Sequence, residues 1–191
     1  MRLSSRNVPE VAVDPSSSGT LHTLAVGSRV FCPGRGVARV LGIEERVFGG
    51  EAQAYYVLEL EADRAKLMLP VGKVAQARVR DLVSAVKARA LMKSVLQEPV
   101  AVEVKLDMAS RKLRAAGYSD ALRSGSADRY TQAVRELSFR FQSRKLSPSE
   151  QQTLQVALAM FVGEISAALD RPLDDVRADL RASAELPATG W

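Results

Sequence analysis

Across residues 26–70 the chain passes through four or five short stretches of branched and aromatic residues, each stopped by glycine or a Pro-Gly pair, and past Pro70 that rhythm gives way to helical spacing. Residues 30–31, 37–41, 55–60 and 66–69 have the composition of strands, and Pro33-Gly34, Gly36 and Gly49-Gly50 break them apart. The Gly49-Gly50 pair falls between a strand ending near Phe48 and one beginning near Ala54. Glycine there reaches the positive φ values that a tight hairpin requires. Strands this short predict a small curled sheet, a barrel of the kind that docks other proteins.

The remainder reads as helices. Ser84 can cap one running to Gln97, in which Ala88, Leu91 or Met92, and Val95 or Leu96 recur every three or four residues before Pro99 interrupts. A second is predicted over 103–116. Ser126 can cap a third, whose Tyr130, Val134, Leu137 and Phe141 form one buried stripe. Ser147, Pro148 and Glu150 combine a capping serine, a proline at the first helical position and the glutamate of a capping box, ahead of a stripe of Leu154, Leu158, Phe161, Ile165 and Leu169. A last short helix is predicted over 173–184. Residues 1–22, rich in Ser, Pro and Gly, read as a flexible leader. The expected organisation is therefore a leader (1–22), a β-barrel domain (23–82), a compact all-α domain (83–184) and a tail (185–191), a two-domain α+β chain.

The side-chain inventory argues against catalysis. One cysteine, Cys32, and one histidine, His22, cannot build a disulfide framework or a cysteine-histidine zinc site within a single chain. His22 lies beside the leader, and no histidine stands near an acidic cluster to act as a base. Glu44-Glu45 and Asp174-Asp175 are adjacent carboxylates that point differently, hence surface acids. Pro33, Gly34 and Gly36 lack the glycine spacing and Lys-Ser/Thr ending of a phosphate-binding loop. The sequence thus predicts no catalytic residue, metal or cofactor. No apolar core of a signal peptide and no uninterrupted apolar run of about twenty residues is found, which predicts a cytoplasmic protein.

The net charge of +5 is uneven: residues 86–115 carry seven positive and three negative side chains, residues 116–191 nine and ten. A basic middle can attract a polyanion through phosphate contacts, or it can be a solvated helix face.

The stretch VGSRVFCPGRGVARVLGIEERVFGGEAQAYYVLEL resembles the opening domain of the bacterial CarD and CdnL family of RNA polymerase-binding transcription regulators. That family's pattern has a Val-Gly-Asp start, a Tyr-Pro-x-x-Gly turn, an Ile-Glu segment, a glycine hairpin and Tyr-x-Val-Leu. Further on, LRSGSADRYTQAVRELSFRFQSRKLSPSEQQTLQVALAMFVGEI is similar to the family's Ser-Gly, Val-Arg-Asp-Leu, Leu-Ser-x-x-Glu and later helical features. The resemblance spans roughly residues 24–170. It implies a Tudor-like barrel that binds the protrusion of the polymerase β subunit, and a helical domain that approaches upstream promoter DNA and modulates open-complex formation.

By this correspondence Arg46 occupies the place of a β-subunit-contacting arginine and Met68 another contact position, with Val47, Phe48 and Met68 excluding water around the guanidinium. Many family members set a tryptophan ahead of an Arg-Arg-Tyr segment as a wedge at the DNA fork, but the stretch here, DMASRKLRAAGY, has none. Arg111 stands near that place with Lys112 and Arg114 beside it. Arg135, Arg140, Arg144 and Lys145 are further DNA-contact candidates, although Arg135 and Glu136, in place of the family's Arg-Asp pair, can instead brace the bundle. The alternative is a noncatalytic adaptor that keeps protein binding and has lost DNA recognition.

Overall fold

The computed structural model describes residues 23–48, 51–97, 108–143 and 146–183. Five strands, β1 (Arg29–Cys32), β2 (Gly36–Phe48), β3 (Glu51–Leu60), β4 (Lys66–Pro70) and β5 (Arg80–Asp81), form one antiparallel sheet in the order β4-β3-β2-β1-β5. A 3-10 turn and a short helix, α1 (Val74–Ala77), connect β4 to β5. Five longer helices follow: α2 (Ala85–Val95), α3 (Met108–Arg123), α4 (Ala127–Gln142), α5 (Pro148–Leu169) and α6 (Leu173–Ser183).

Alternation along the strands builds the first core. Val30 and Cys32 of β1, Ala38 and Val40 of β2, and Tyr56, Leu58 and Leu60 of β3 are buried together, while Arg39 between its two neighbours is exposed. Burial pushes the Cys32 thiol up to about 11, against a smaller pull from Arg35, so it stays protonated at neutral pH.

The predicted barrel closure does not occur. β4 pairs with β3 and β5 pairs with β1, and the two edge strands do not meet. The physical reason lies in the connection between them. β5 is only two residues long, and Val71, Val74 and Val79, from the helical turn and its exit, pack on the core that a closing strand pair would otherwise seal. The sheet is open and partly capped by helix, not a Tudor-like barrel.

In the helical layer, each predicted cap forms. Ser84, Ser126 and Ser147 accept hydrogen bonds from the backbone N–H groups of Lys87, Arg129 and Glu150, and Ser147 with Glu150 completes the capping box. α5 is the central element, with Leu154, Leu158, Phe161 and Ile165 fully buried. By length and composition alone it could cross a membrane, but its apolar stripe is spent on the bundle core. The helix predicted over 103–116 differs from α3. Its first five residues lie outside the described ones, and α3 runs on through Gly117 to Arg123. An interior glycine costs about 1 kcal/mol relative to alanine, and burial of Tyr118, Ala121 and Leu122 beyond it outweighs that cost.

Sheet and bundle are joined by a polar network sunk in apolar surroundings. Phe31 of β1 belongs to the helical core, where it stacks on Tyr130 of α4 at 5.3 Å between centroids, and the Arg80 guanidinium lies 4.3 Å from the Phe31 ring centroid. Glu164 of α5 is completely buried. Its Oε1 accepts from Arg80 Nη1 at 2.5 Å and from the Val83 backbone N–H at 3.1 Å; its Oε2 accepts from Arg80 Nη2 at 3.0 Å and from the Tyr130 hydroxyl. Arg80 Nε donates to the Gly125 carbonyl at 2.5 Å. Burial, and then the Glu164 charge, hold the Tyr130 hydroxyl well above its ordinary pKa, so it remains the donor.

Removing one partner of such a pair leaves a charge buried without compensation. Glu164→Leu is expected to lower the unfolding free energy by about 3–5 kcal/mol. The Arg80→Leu/Glu164→Leu double variant should lose less than the sum of the single losses. Denaturant unfolding of the four proteins in a double-mutant cycle measures this coupling.

Candidate functional site

The long β2–β3 pair changes character at Leu41. Val40 pairs with Leu58 and Gly42 with Val57, so Leu41 is the extra residue of a β-bulge. Residues 43–47 beyond it are all exposed, as are 51–53 on the returning strand. Both faces of this end of the pair meet solvent, and it stands out from the sheet as an arm.

Register assigns the side chains of the arm. Arg46 pairs across with Gln53, Glu44 with Tyr55, and Gly42 with Val57, which in turn pairs with Met68 of β4. Glu44, Arg46, Gln53, Tyr55, Val57 and Met68 therefore share one face. Arg46 and Met68 lie on that face with Tyr55 between them, and the Tyr55 hydroxyl donates to Gln53 Oε1 at 2.8 Å. Val47, 69% exposed, is on the opposite face beside Ile43, so it does not shield Arg46 from water. Phe48 ends β2 opposite Glu51 in the ladder.

The Arg46 side chain, 53% exposed, donates through Nη2 to Glu44 Oε2 at 2.8 Å. Such an exposed pair contributes about 0–1 kcal/mol to stability, yet it holds the guanidinium along the arm.

The basic candidates of the helical half divide into two groups. Arg111 and Lys112 are exposed on the first turns of α3 and make no ion pair among the described residues. Arg114 and Arg140 turn inward to Glu150: Arg114 Nε is 3.9 Å from Glu150 Oε1, and Arg140 Nη2 is 3.4 Å from the same oxygen. Arg140 and Glu150 are both buried. These two arginines tie α3 and α4 to the start of α5. Arg135 is half-buried on α4, with Gln132 donating to the neighbouring Glu136. Arg144 and Lys145 lie outside the described residues. Tyr118 is buried beside this group, and burial, then the Glu136 charge, raise its hydroxyl above the ordinary value.

Neither Arg80 nor Glu164 stood out in the sequence as a functional residue. The available signal was a glutamate set inside the apolar run MFVGEISAAL, which a helix packed all round can hold only with a partner. Among the described residues no group of three or more His, Cys, Asp or Glu side chains comes together as a metal site.

Residues 24–83 match the family model of the CarD-like/TRCF RID domain, and residues 92–181 that of the CarD C-terminal domain. A protein of Bacillus subtilis (strain 168), YdeB, named as a candidate transcription factor, is 22% identical over 140 residues, covering 73% of this chain and 88% of that protein. The 72-residue N-terminal domain of Myxococcus xanthus CarD, solved by solution NMR, is 37% identical, with 37% of this chain and 93% of the domain covered and a TM-score of 0.27.

Glu150 gives this region a pH dependence. Burial pushes its carboxyl up, but the Ser147 backbone N–H and hydroxyl, followed by the charges of Arg140 and Arg114, outweigh burial and hold it below its ordinary value. A depressed carboxylate contributes stability in full above the unfolded-state value, about 4.3 for glutamate, and loses it as pH falls through the folded value. Glu150→Gln should therefore be less stable than wild type at pH 7, and the gap should narrow as the medium is acidified below about pH 5. Urea midpoints measured along a pH series check the sign.

Proposed function

Because the chain belongs to the CarD family, whose role is transcription-regulatory and associated with RNA polymerase, we propose that it docks through the β2–β3 arm on the protrusion of the polymerase β subunit and sets its helical half against upstream promoter DNA, modulating open-complex formation. The observation that carries this reading is the arm itself. It projects past the bulge at Leu41 with both faces open, and Arg46 and Met68 share a face across Tyr55. Arg46 supplies a planar donor fork to a carboxylate or carbonyl on the partner, while Tyr55 and Met68 supply apolar area beside it. Val47 and Phe48 contribute from the tip of the arm.

On the DNA side, Arg111 and Lys112 are the proposed phosphate contacts, with Arg135, Arg144 and Lys145 secondary. Arg114 and Arg140, engaged with Glu150, position α3 and α4 rather than leading the contact. Binding polymerase and DNA together couples the two affinities, and preference for the open complex would shift the promoter equilibrium. The absence of a tryptophan wedge from residues 107–118 favours contact with the duplex backbone over stacking on an unpaired base. The proposed role is noncatalytic and its site of action is the cytoplasm.

Arg46→Glu is expected to weaken binding to the isolated β-subunit protrusion at least tenfold while leaving the thermal midpoint near that of wild type. Glu44→Gln, which frees the guanidinium from its neighbour, should strengthen the same interaction. Equilibrium titration of the full-length variants against the protrusion fragment measures both. Unchanged affinity in Arg46→Glu would remove the arm from the interface, and wild-type protein that does not bind would leave an adaptor with another partner.

A further inference from the structure

Three arginines outside the proposed arm and α3 contacts, Arg35, Arg78 and Arg123, come from segments that meet where the sheet touches the bundle. The turn between β1 and β2, the end of α1 and the end of α3 converge on Gly125, which sits at φ +73°. A Cβ on Gly125 would lie 3.0 Å from the Arg78 carbonyl oxygen, 3.1 Å from Arg78 Cβ and 3.5 Å from Pro33 Cγ; a Cβ on Gly34 would lie 3.7 Å from Arg123 Cγ. Arg35 follows Gly34, Arg78 is the C-cap of α1, and Arg123 closes α3. All three are exposed, and none forms an ion pair among the described residues.

Of the acids close to Arg78 and Arg123 in sequence, two have partners of their own. Asp120 holds Arg129 at 2.7 Å and Asp128 holds Lys87 at 2.5 Å, while Asp81 is the acid of β5. Arg78 has φ 55°, in the left-handed region where glycine would sit without strain, and yet the position carries a guanidinium. Arg123 also continues a line begun at Lys112. Eleven residues are three helical turns, so the two cations share a side of α3 about 16 Å apart.

We infer that Arg35, Arg78 and Arg123 form a second phosphate-contacting site, at the sheet–bundle seam, that extends the α3 contact along the sugar-phosphate backbone of a DNA duplex. Guanidinium forks suit phosphate oxygens, and cations spread along a helix fit a chain of phosphates better than a single anion. The inference rests on the DNA half of the proposed function.

The test uses full-length protein and a fluorescein-labelled duplex of mixed sequence, with binding followed by anisotropy over a series of salt concentrations. Each lost phosphate contact removes about 0.9 from the log–log salt slope. Arg35→Gln/Arg78→Gly/Arg123→Gln should flatten the slope by about 2–3, and Arg111→Gln/Lys112→Gln by about 2. Arg78→Gly relieves the left-handed strain, so the triple variant should melt near wild type; Arg35→Gln alone, in an exposed turn, should still flatten the slope by about 1. A seam variant with the wild-type slope, beside a flattened α3 variant, would overturn the seam site and leave the DNA reading intact. Wild-type protein showing no salt-dependent binding would overturn both. A seam variant that keeps its DNA slope but loses affinity for the β-subunit protrusion would assign these arginines to a protein surface instead.

Discussion

The carboxylate of Glu164 must be satisfied inside an apolar helix packing, and much of the architecture follows from how that is done. Its two oxygens take hydrogen bonds from a strand arginine, a loop backbone N–H and a helix tyrosine, so sheet, connector and bundle are all required to complete one side chain. Phe31 reinforces the arrangement from the sheet by stacking on Tyr130 and lying under Arg80. Arg80 in turn reaches Gly125, where a Cβ would crowd Arg78 at 3.0–3.1 Å and the φ of +73° disfavours any side chain. The seam is specified by charge satisfaction and by the absence of a Cβ together.

A second constraint acts at the far end of the sheet. The bulge at Leu41 shifts the register of β2 by one residue, so that past it Ile43, opposite buried Tyr56, takes the face that Ala38 and Val40 hold before it, and the pair then runs on beyond the core. The strand continues as an exposed arm. The open edges of β4 and β5 follow from different causes, a short final strand and a helical plug over the core, and they leave the sheet curled without closure.

Features governed by local rules were legible in the sequence. The serine caps, the Ser147-Pro148-Glu150 start and the stripes through α4 and α5 involve residues within a few positions of one another, and they appear in place. Features governed by distant partners were not. The helix read over 103–116 ends before Gly117, but the bundle that buries Tyr118, Ala121 and Leu122 carries α3 on to Arg123. Arg114 and Arg140 read as cations for a phosphate, and only their proximity to Glu150 shows them drawn inward. Barrel closure depended on the pairing of residues 66–70 with 80–81, which no local pattern encodes. Arg46 and Met68 were named from resemblance, while the opposite orientation of Val47 came from strand register alone.

The seam also bears on how the two ends of the molecule communicate. The seam joins sheet and bundle through the Arg80–Glu164 ion pair and the close approach at Gly125, so the arm and the cation-bearing side of α3 belong to one connected frame. A partner fixed on the arm would therefore dictate where along a neighbouring duplex α3 can reach. Because DNA turns once in about 10 base pairs, the proposed α3 contact would then select the face of the helix as well as the distance. Spacing in the nucleic acid would then matter through its rotational phase, a form of selectivity that needs no contact with any base.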